Sequence, residues 1–176
     1  MDIGANIGIF SLFAVHSGAK LVIGYEPCSK SYEVCLKNIV ENKLYNKINI
    51  YKAAVTHESG KSVKFPISSS VYNRIISEKS VIDAFEIVDT VSLENIIKDV
   101  LVFDLLKIDC EGGEYDIILN SKPEIYSKIR EIKMEYHLGR LMDLTFHLEN
   151  VGFIKKYPRS VNNSSLVGTV WYAKSK

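Results

Sequence analysis

The sequence predicts an α/β domain in which a mostly parallel sheet is covered by helices. Three observations carry that prediction. Short apolar runs alternate with segments of helical period, the pattern that strand–helix–strand units produce. The chain opens on a glycine-bearing strand-to-helix turn, Asp2-Ile3-Gly4-Ala5-Asn6-Ile7-Gly8. Two later apolar strands discharge polar residues at their C-terminal ends, Asp109 and Glu111 after one, Glu135 and His137 at the other. Ligands bind at that end of open α/β sheets.

Residues 1–3 read as the tail of a first strand, and residues 9–17 as a helix closed by Gly18. Residues 21–25 (LVIGY) form a buried strand that stops at Glu26-Pro27. Tyr32, Cys35, Leu36, Ile39 and Val40 recur at i, i+3, i+4, i+7 and i+8, the apolar stripe of a helix. Residues 48–55 read as one strand, and His57-Glu58-Ser59-Gly60-Lys61 as a hairpin turn into a strand over 62–65. The serine-rich stretch 66–83 lacks a period and reads as either a loop over a site or a mobile insertion.

A strand over 85–90 precedes Ser92, which suits the N-cap of a helix through Leu93, Ile96 and Ile97. Residues 102–108 are a strongly apolar strand, followed by a helix with Tyr115, Ile118 and Leu119. Residues 129–136 form another strand. Leu141, Leu144, Leu148 and Val151 mark a further amphipathic helix. Residues 153–157 and 166–173 close the chain as an antiparallel pair around an Asn-Asn-Ser-Ser turn.

Composition narrows the partners. A chain of 176 residues is one domain's worth and can bury a single core. The 22 basic and 21 acidic residues leave a net charge of +1, which gives no electrostatic reason to expect nucleic acid or an anionic membrane and suits a small-molecule partner. Cys28, Cys35 and Cys110 match no zinc or redox spacing and read as buried apolar side chains of a cytoplasmic protein. No apolar run approaches the roughly 20 residues that span a bilayer, and no basic region precedes the first apolar stretch as in a signal peptide. The Asn162 and Asn163 glycosylation-type triplets read as loop composition.

The opening loop is not a dinucleotide fingerprint, because Asn6 stands where a second glycine is required for a pyrophosphate to approach. Asp2 would also repel phosphates. A ligand without phosphates fits better, seated at the N-terminal amides of the following helix. Glu26 lies 24 residues after Asp2 at the end of the second strand, where a carboxylate can accept both hydroxyls of a ribose.

In the segment LLKIDCEGGE, Asp109 and Glu111 sit at a strand's C-terminal end, and Gly112-Gly113 admit close backbone approach. Lys107 shares strand parity with Asp109 and is expected to pair with it. Glu114 reads as an acid favouring the N-terminus of the next helix. Glu135 and His137, at i and i+2, point to one face, and His137 is the candidate general base. His16, His57 and His147 lack such a setting. Asp109, Glu111, Glu135 and His137 are donors that magnesium, manganese or iron accept, but they form no tight ligand motif, and no metal is expected.

Taken together, DIGANIG before an apolar helix, Gly24-Tyr25-Glu26-Pro27, the LLKIDCEGGEYDIIL segment and Glu135-Tyr136-His137 resemble the FkbM family of S-adenosylmethionine-dependent methyltransferases. The resemblance runs from residue 2 to about 137. It implies a Rossmann-like methyltransferase fold of seven strands, the last antiparallel, with helices on both faces. It also implies that Asp2, Gly4, Asn6 and Gly8 cradle the methionine part of the cofactor. Glu26 would then hold the ribose, Ala54 with Ala53 would lie near adenine, and Asp109 with Glu111 would face the reacting end. Family members are taken mainly as O-methyltransferases of sugars or secondary metabolites. Only Met1 precedes Asp2, so the first strand reads as truncated and a lid segment as missing. From that follows a second class of function, a cofactor-binding domain that does not catalyse.

Overall fold

A computed structural model of the chain describes residues 1–67, 75, 84–158 and 165–175. Most of the serine-rich stretch and the Asn162–Ser164 turn lie outside them. The described strands are β1 (Asp2–Ile3), β2 (Val22–Tyr25), β3 (Ile48–Tyr51), β4 (Ala54–Thr56), β5 (Ser62–Pro66), β6 (Phe85–Ser92), β7 (Phe103–Ile108), β8 (Ile129–Tyr136), β9 (Phe153–Tyr157) and β10 (Gly168–Lys174). The helices are α1 (Ile9–His16), α2 (Ser29–Glu41), α3 (Leu93–Ile97), α4 (Glu114–Asn120) and α5 (Leu141–Asn150), with a 3-10 turn over Pro123–Lys128. Seven strands form one sheet in the order β3-β2-β1-β7-β8-β10-β9, and β4-β6-β5 form a second. No described helix is long and apolar enough to cross a membrane.

The chain divides into two compact units, Met1–Val55 with Gly60–Thr90, and Thr56–Ser59 with Val91–Lys176. In the first, β1, β2 and β3 run parallel, with Asp2 opposite Gly24 and Val22 opposite Ile48. Ala5, Val15, Val22, Cys35, Ile39, Ile48 and Ile50 pack into its core. The stripe on α2 is narrower than its sequence suggests: Cys35 and Ile39 are buried, whereas Leu36 and Val40 are exposed.

The single strand expected over 48–55 is instead two. The amide of Ala53 bonds back to the carbonyl of Tyr51 at 3.2 Å, a tight turn that ends β3 and redirects β4. No glycine or proline marks this break. Nor do β4 and β5 form the expected hairpin, because β6 lies between them in the order β4-β6-β5. β6 pairs antiparallel with β5, Val63 opposite Val88, which makes the partner of β5 a strand about 25 residues away.

Glu86 on β6 serves the N-terminus of α2. Its carboxylate takes the amide of Ser29 at 2.8 Å, the Ser29 hydroxyl and the Lys52 ammonium at 2.7 Å. Burial pushes this carboxyl up, but the hydrogen bonds from Lys52 and Ser29 outweigh it and hold Glu86 below its ordinary 4.5. A depressed folded-state value contributes stability above the unfolded value, and that contribution is lost as pH falls through the folded one. Glu86→Gln is therefore expected to lower the melting temperature at neutral pH. The gap from wild type should close as the pH drops below 4.5; a gap independent of pH would contradict the assignment.

In the second unit β7 and β8 run parallel, with Ile108 opposite Met134. β10 inserts between β8 and β9, antiparallel to both, so the last strand is antiparallel as expected. Leu106, Ile108, Ile118, Ile132, Leu144 and Val170 are fully buried. Tyr126 is fully buried too, edge-on to Phe153, with its hydroxyl donating to the Ile118 carbonyl at 2.6 Å. Ser92 caps α3 as predicted, accepting the Asn95 amide at 3.2 Å.

Candidate active site

In the first unit the chain turns sharply where β1 ends. Gly4, Asn6 and Gly8 have φ of 73°, 50° and 85°, a left-handed run that glycine tolerates and asparagine visits more readily than most residues. The amides of Gly4 and Ala5 both donate to the Tyr25 carbonyl at 3.0 Å, which ties the turn to the end of β2. Glu26, the next residue, is 6% exposed. One of its oxygens accepts the Asn6 amide at 2.8 Å and the other the Cys28 amide at 2.9 Å. The loop and the acid, read separately in the sequence, are thus one construction.

Asp2 is completely buried and accepts the Ser11 hydroxyl at 2.7 Å. That hydrogen bond ties β1 to α1, and the Asp2 side chain has no exposed surface. Gly8 opens α1, and a Cβ there would lie 2.5 Å from the Cys35 sulfur; both its φ and the approach of α2 demand glycine. Burial, followed by the Asp2 and Glu26 carboxylates, pushes the Cys35 thiol up to about 12, so it stays protonated and inert. Ala54, expected near an adenine, packs with Cys28, Phe65 and Val88 and is 3% exposed. Its methyl group belongs to the core.

The N-terminus of α1 carries no acidic residue in its first turn and no side-chain cap. Its amides are suited to a carboxylate, and the Glu26 carboxylate to paired hydroxyls. S-adenosylmethionine carries both groups. The donor set fits that cofactor.

In the second unit the parallel pairing of β7 with β8 brings Asp109 and His137 out at the same end. Between β7 and α4 the chain again uses positive φ, 49° at Glu111 and 104° at Gly112. Glu114 is fully buried and organises this turn: Oε1 accepts the Cys110 amide and Oε2 the Gly112 amide, each at 2.9 Å. The same Oε1 lies 3.1 Å from Nδ1 of His137. On the other side of the ring, Nε2 faces Glu111 at 3.3 Å and Glu135 at 3.7 Å. Asp109, Glu111 and His137 each bring a donor atom within 4.8 Å of the others. Lys107 stands 3.7 Å from Asp109, the pairing expected from strand parity. Burial pushes the Glu111 carboxyl up; His137 pulls it back, and Asp109, Glu135 and Glu114 push it further.

Two residues of this site are not assigned to it by the sequence. Glu114 reads there as a helix-dipole acid, and in the structure its carboxylate is also the partner of the His137 ring. The available signal was its place directly after Gly112-Gly113, where a strand-to-helix turn leaves amides to be satisfied. Tyr115 donates its hydroxyl to the His137 carbonyl and accepts the Arg140 amide at 3.1 Å, while the Arg140 guanidinium lies 5.0 Å over its ring. It thereby fixes the backbone on both sides of the left-handed pair Leu138 and Gly139, at φ of 62° and 69°. His57 anchors the turn after β4 to Asp116 at 2.7 Å.

The sequence matches the family model described as the methyltransferase FkbM domain over residues 2–156. No curated protein matches the chain. Among solved structures, the methyltransferase FkbM of Methylobacillus flagellatus KT is 18% identical with a TM-score of 0.60, the match covering 98% of this chain and 42% of that one. A ribosomal protein L11 methylase of Lactobacillus delbrueckii subsp. bulgaricus is 17% identical with a TM-score of 0.59, over 99% of this chain and 69% of the other. TrmK of M. capricolum, solved with S-adenosyl-homocysteine, is 14% identical with a TM-score of 0.57, over 99% and 61%. This chain thus spans less than two thirds of the length of two of the three. At these identities the structures establish the fold, a Rossmann-like methyltransferase sheet, and the family model establishes membership: the chain belongs to the methyltransferase FkbM domain family.

Proposed function

We propose that the protein binds S-adenosylmethionine and transfers its methyl group to a hydroxyl of a small-molecule acceptor, such as a sugar or secondary metabolite. The observation that carries this reading is the joint construction of the first loop. Glu26 holds the Asn6 amide from the end of β2, beside an α1 N-terminus without an acid or cap of its own. In this reading Gly4, Asn6 and Gly8 shape the turn around the methionine end, Asp2 supports it through Ser11, and Glu26 takes the ribose hydroxyls. The family model supports the same cofactor.

Methyl transfer from a sulfonium is an in-line displacement. The protein has to align donor and acceptor and accept the hydroxyl's proton. The cluster of Asp109, Glu111 and His137 serves the acceptor in this reading, and His137 Nε2 is the ring atom turned toward the carboxylates. The near balance of charge, +1 overall, suits a small uncharged acceptor better than nucleic acid.

Calorimetry with S-adenosylhomocysteine, followed by transfer from methyl-labelled S-adenosylmethionine to a panel of monosaccharide glycosides, tests the proposal. The wild type should bind and label, and His137→Ala should bind equally but label at least about 100-fold more slowly. Binding without labelling of any acceptor would support the non-catalytic reading. No binding would overturn both.

A further inference from the structure

We propose that Asp109, Glu111 and His137 form a site for one divalent cation of the manganese type. The proposal rests on reading this cluster as the acceptor end, and it replaces the expectation of no metal. His137 is the decisive residue. Its side chain is 10% exposed, and Nδ1 faces the wholly buried Glu114 carboxylate, so the ring is oriented and that nitrogen is its proton-bearing side. Nε2, which makes no hydrogen bond among the described residues, is aimed between Glu111 and Glu135 at 3.3 and 3.7 Å.

Glu111 and Glu135 approach Nε2, and Asp109 completes a set of donor atoms gathered around one point, an arrangement that a cation would draw together. Ligands on one cation at about 2.1 Å stand roughly 3 Å apart when adjacent and about 4.2 Å apart when opposite. Nε2 and Glu111 meet the first condition, and the whole set, within 4.8 Å, closes on a cation with a small side-chain adjustment. One imidazole and two carboxylates suit manganese, iron or zinc better than calcium. The Glu114–His137 pair supplies the orienting carboxylate that metal-bound histidines almost always have. A cation here would acidify an acceptor hydroxyl bound beside it. His137 would then serve the reaction as a ligand, its lone pair spent on the metal.

The test is a titration of the full chain with Mn2+, read by loss of the free-ion electron paramagnetic resonance signal and by pulsed spectra for a coupled nitrogen. One ion per chain is expected, with nitrogen coupling that disappears in His137→Ala. Glu111→Gln and Asp109→Asn should each weaken binding at least about 10-fold, and Glu114→Gln, acting through the ring, about 10- to 100-fold. Asp104→Asn, which alters an exposed ion pair with Arg130, should bind as wild type does. No binding at millimolar Mn2+, or equal binding in all variants, overturns the proposal. Thermal melts of Glu111→Gln and Asp109→Asn, both at partly exposed positions, separate loss of a ligand from loss of the fold. S-adenosylhomocysteine binding is measured on the same samples: retained without Mn2+ binding, it sinks the metal site alone, whereas Mn2+ binding without it sinks the cofactor reading alone.

Discussion

Glu114→Ala destabilises the second unit by about 3–5 kcal/mol, the cost typical of removing one member of a buried charged network. The substitution strips the Cys110 and Gly112 amides of their acceptor, and leaves the ring of His137 without its partner. Each buried group left unsatisfied costs about 1–3 kcal/mol. Glu114→Gln keeps one oxygen but turns an amide N–H group toward a backbone amide, and should fall between alanine and wild type. Urea unfolding checks this through the fluorescence of Trp171, the only tryptophan, which lies in the same unit. A loss below about 1 kcal/mol, the level of a single exposed cap, would mean that Glu114 is only the helix-dipole acid suggested by its position.

Glu26→Ala lowers the affinity for S-adenosylhomocysteine by about 100-fold. Two hydroxyl-to-carboxylate hydrogen bonds at about 1.5 kcal/mol each give about 3 kcal/mol, slightly more than that factor. The same carboxylate holds the loop through Asn6 and Cys28, so alanine also loosens the turn. Glu26→Gln separates the two effects, because it retains most of the side-chain volume and one carbonyl acceptor while removing the charge. Isothermal calorimetry on the three proteins reads the result. Equal affinity of wild type and Glu26→Ala would remove Glu26 from the ribose role.

Most elements were legible because their signals are local. The 3.6-residue period marks α2 and α5, Ser92 announces α3 through its own side chain, and the boundaries of β8 match the strand read over 129–136. The break at Lys52-Ala53 was not legible. Nothing in its composition resists a strand, and it depends on a two-residue backbone bond and on Lys52 reaching Glu86, 34 positions onward. The β4–β5 hairpin failed for a related reason: a glycine turn permits a hairpin, but competition with β6 for the edge of β5 decides whether one forms.

The same distinction runs through the candidate site. Gly4, Asn6, Gly8 and Glu26 could be picked out by type and spacing, since a left-handed turn narrows the residues allowed and a strand end exposes its acid. By itself, the sequence determined the α/β class, the order of most strands and helices, the glycine loop with its acid, and the polar ends of the strands before Asp109 and at His137. Only the tertiary structure decided which groups meet. It buried Asp2 against Ser11, gave Ala54 to the core, slid β10 between β8 and β9, and set Glu114 against a histidine 23 residues later. Pairing between distant strands is collective, because each register is chosen by the burial of many side chains at once, and no single residue carries that information.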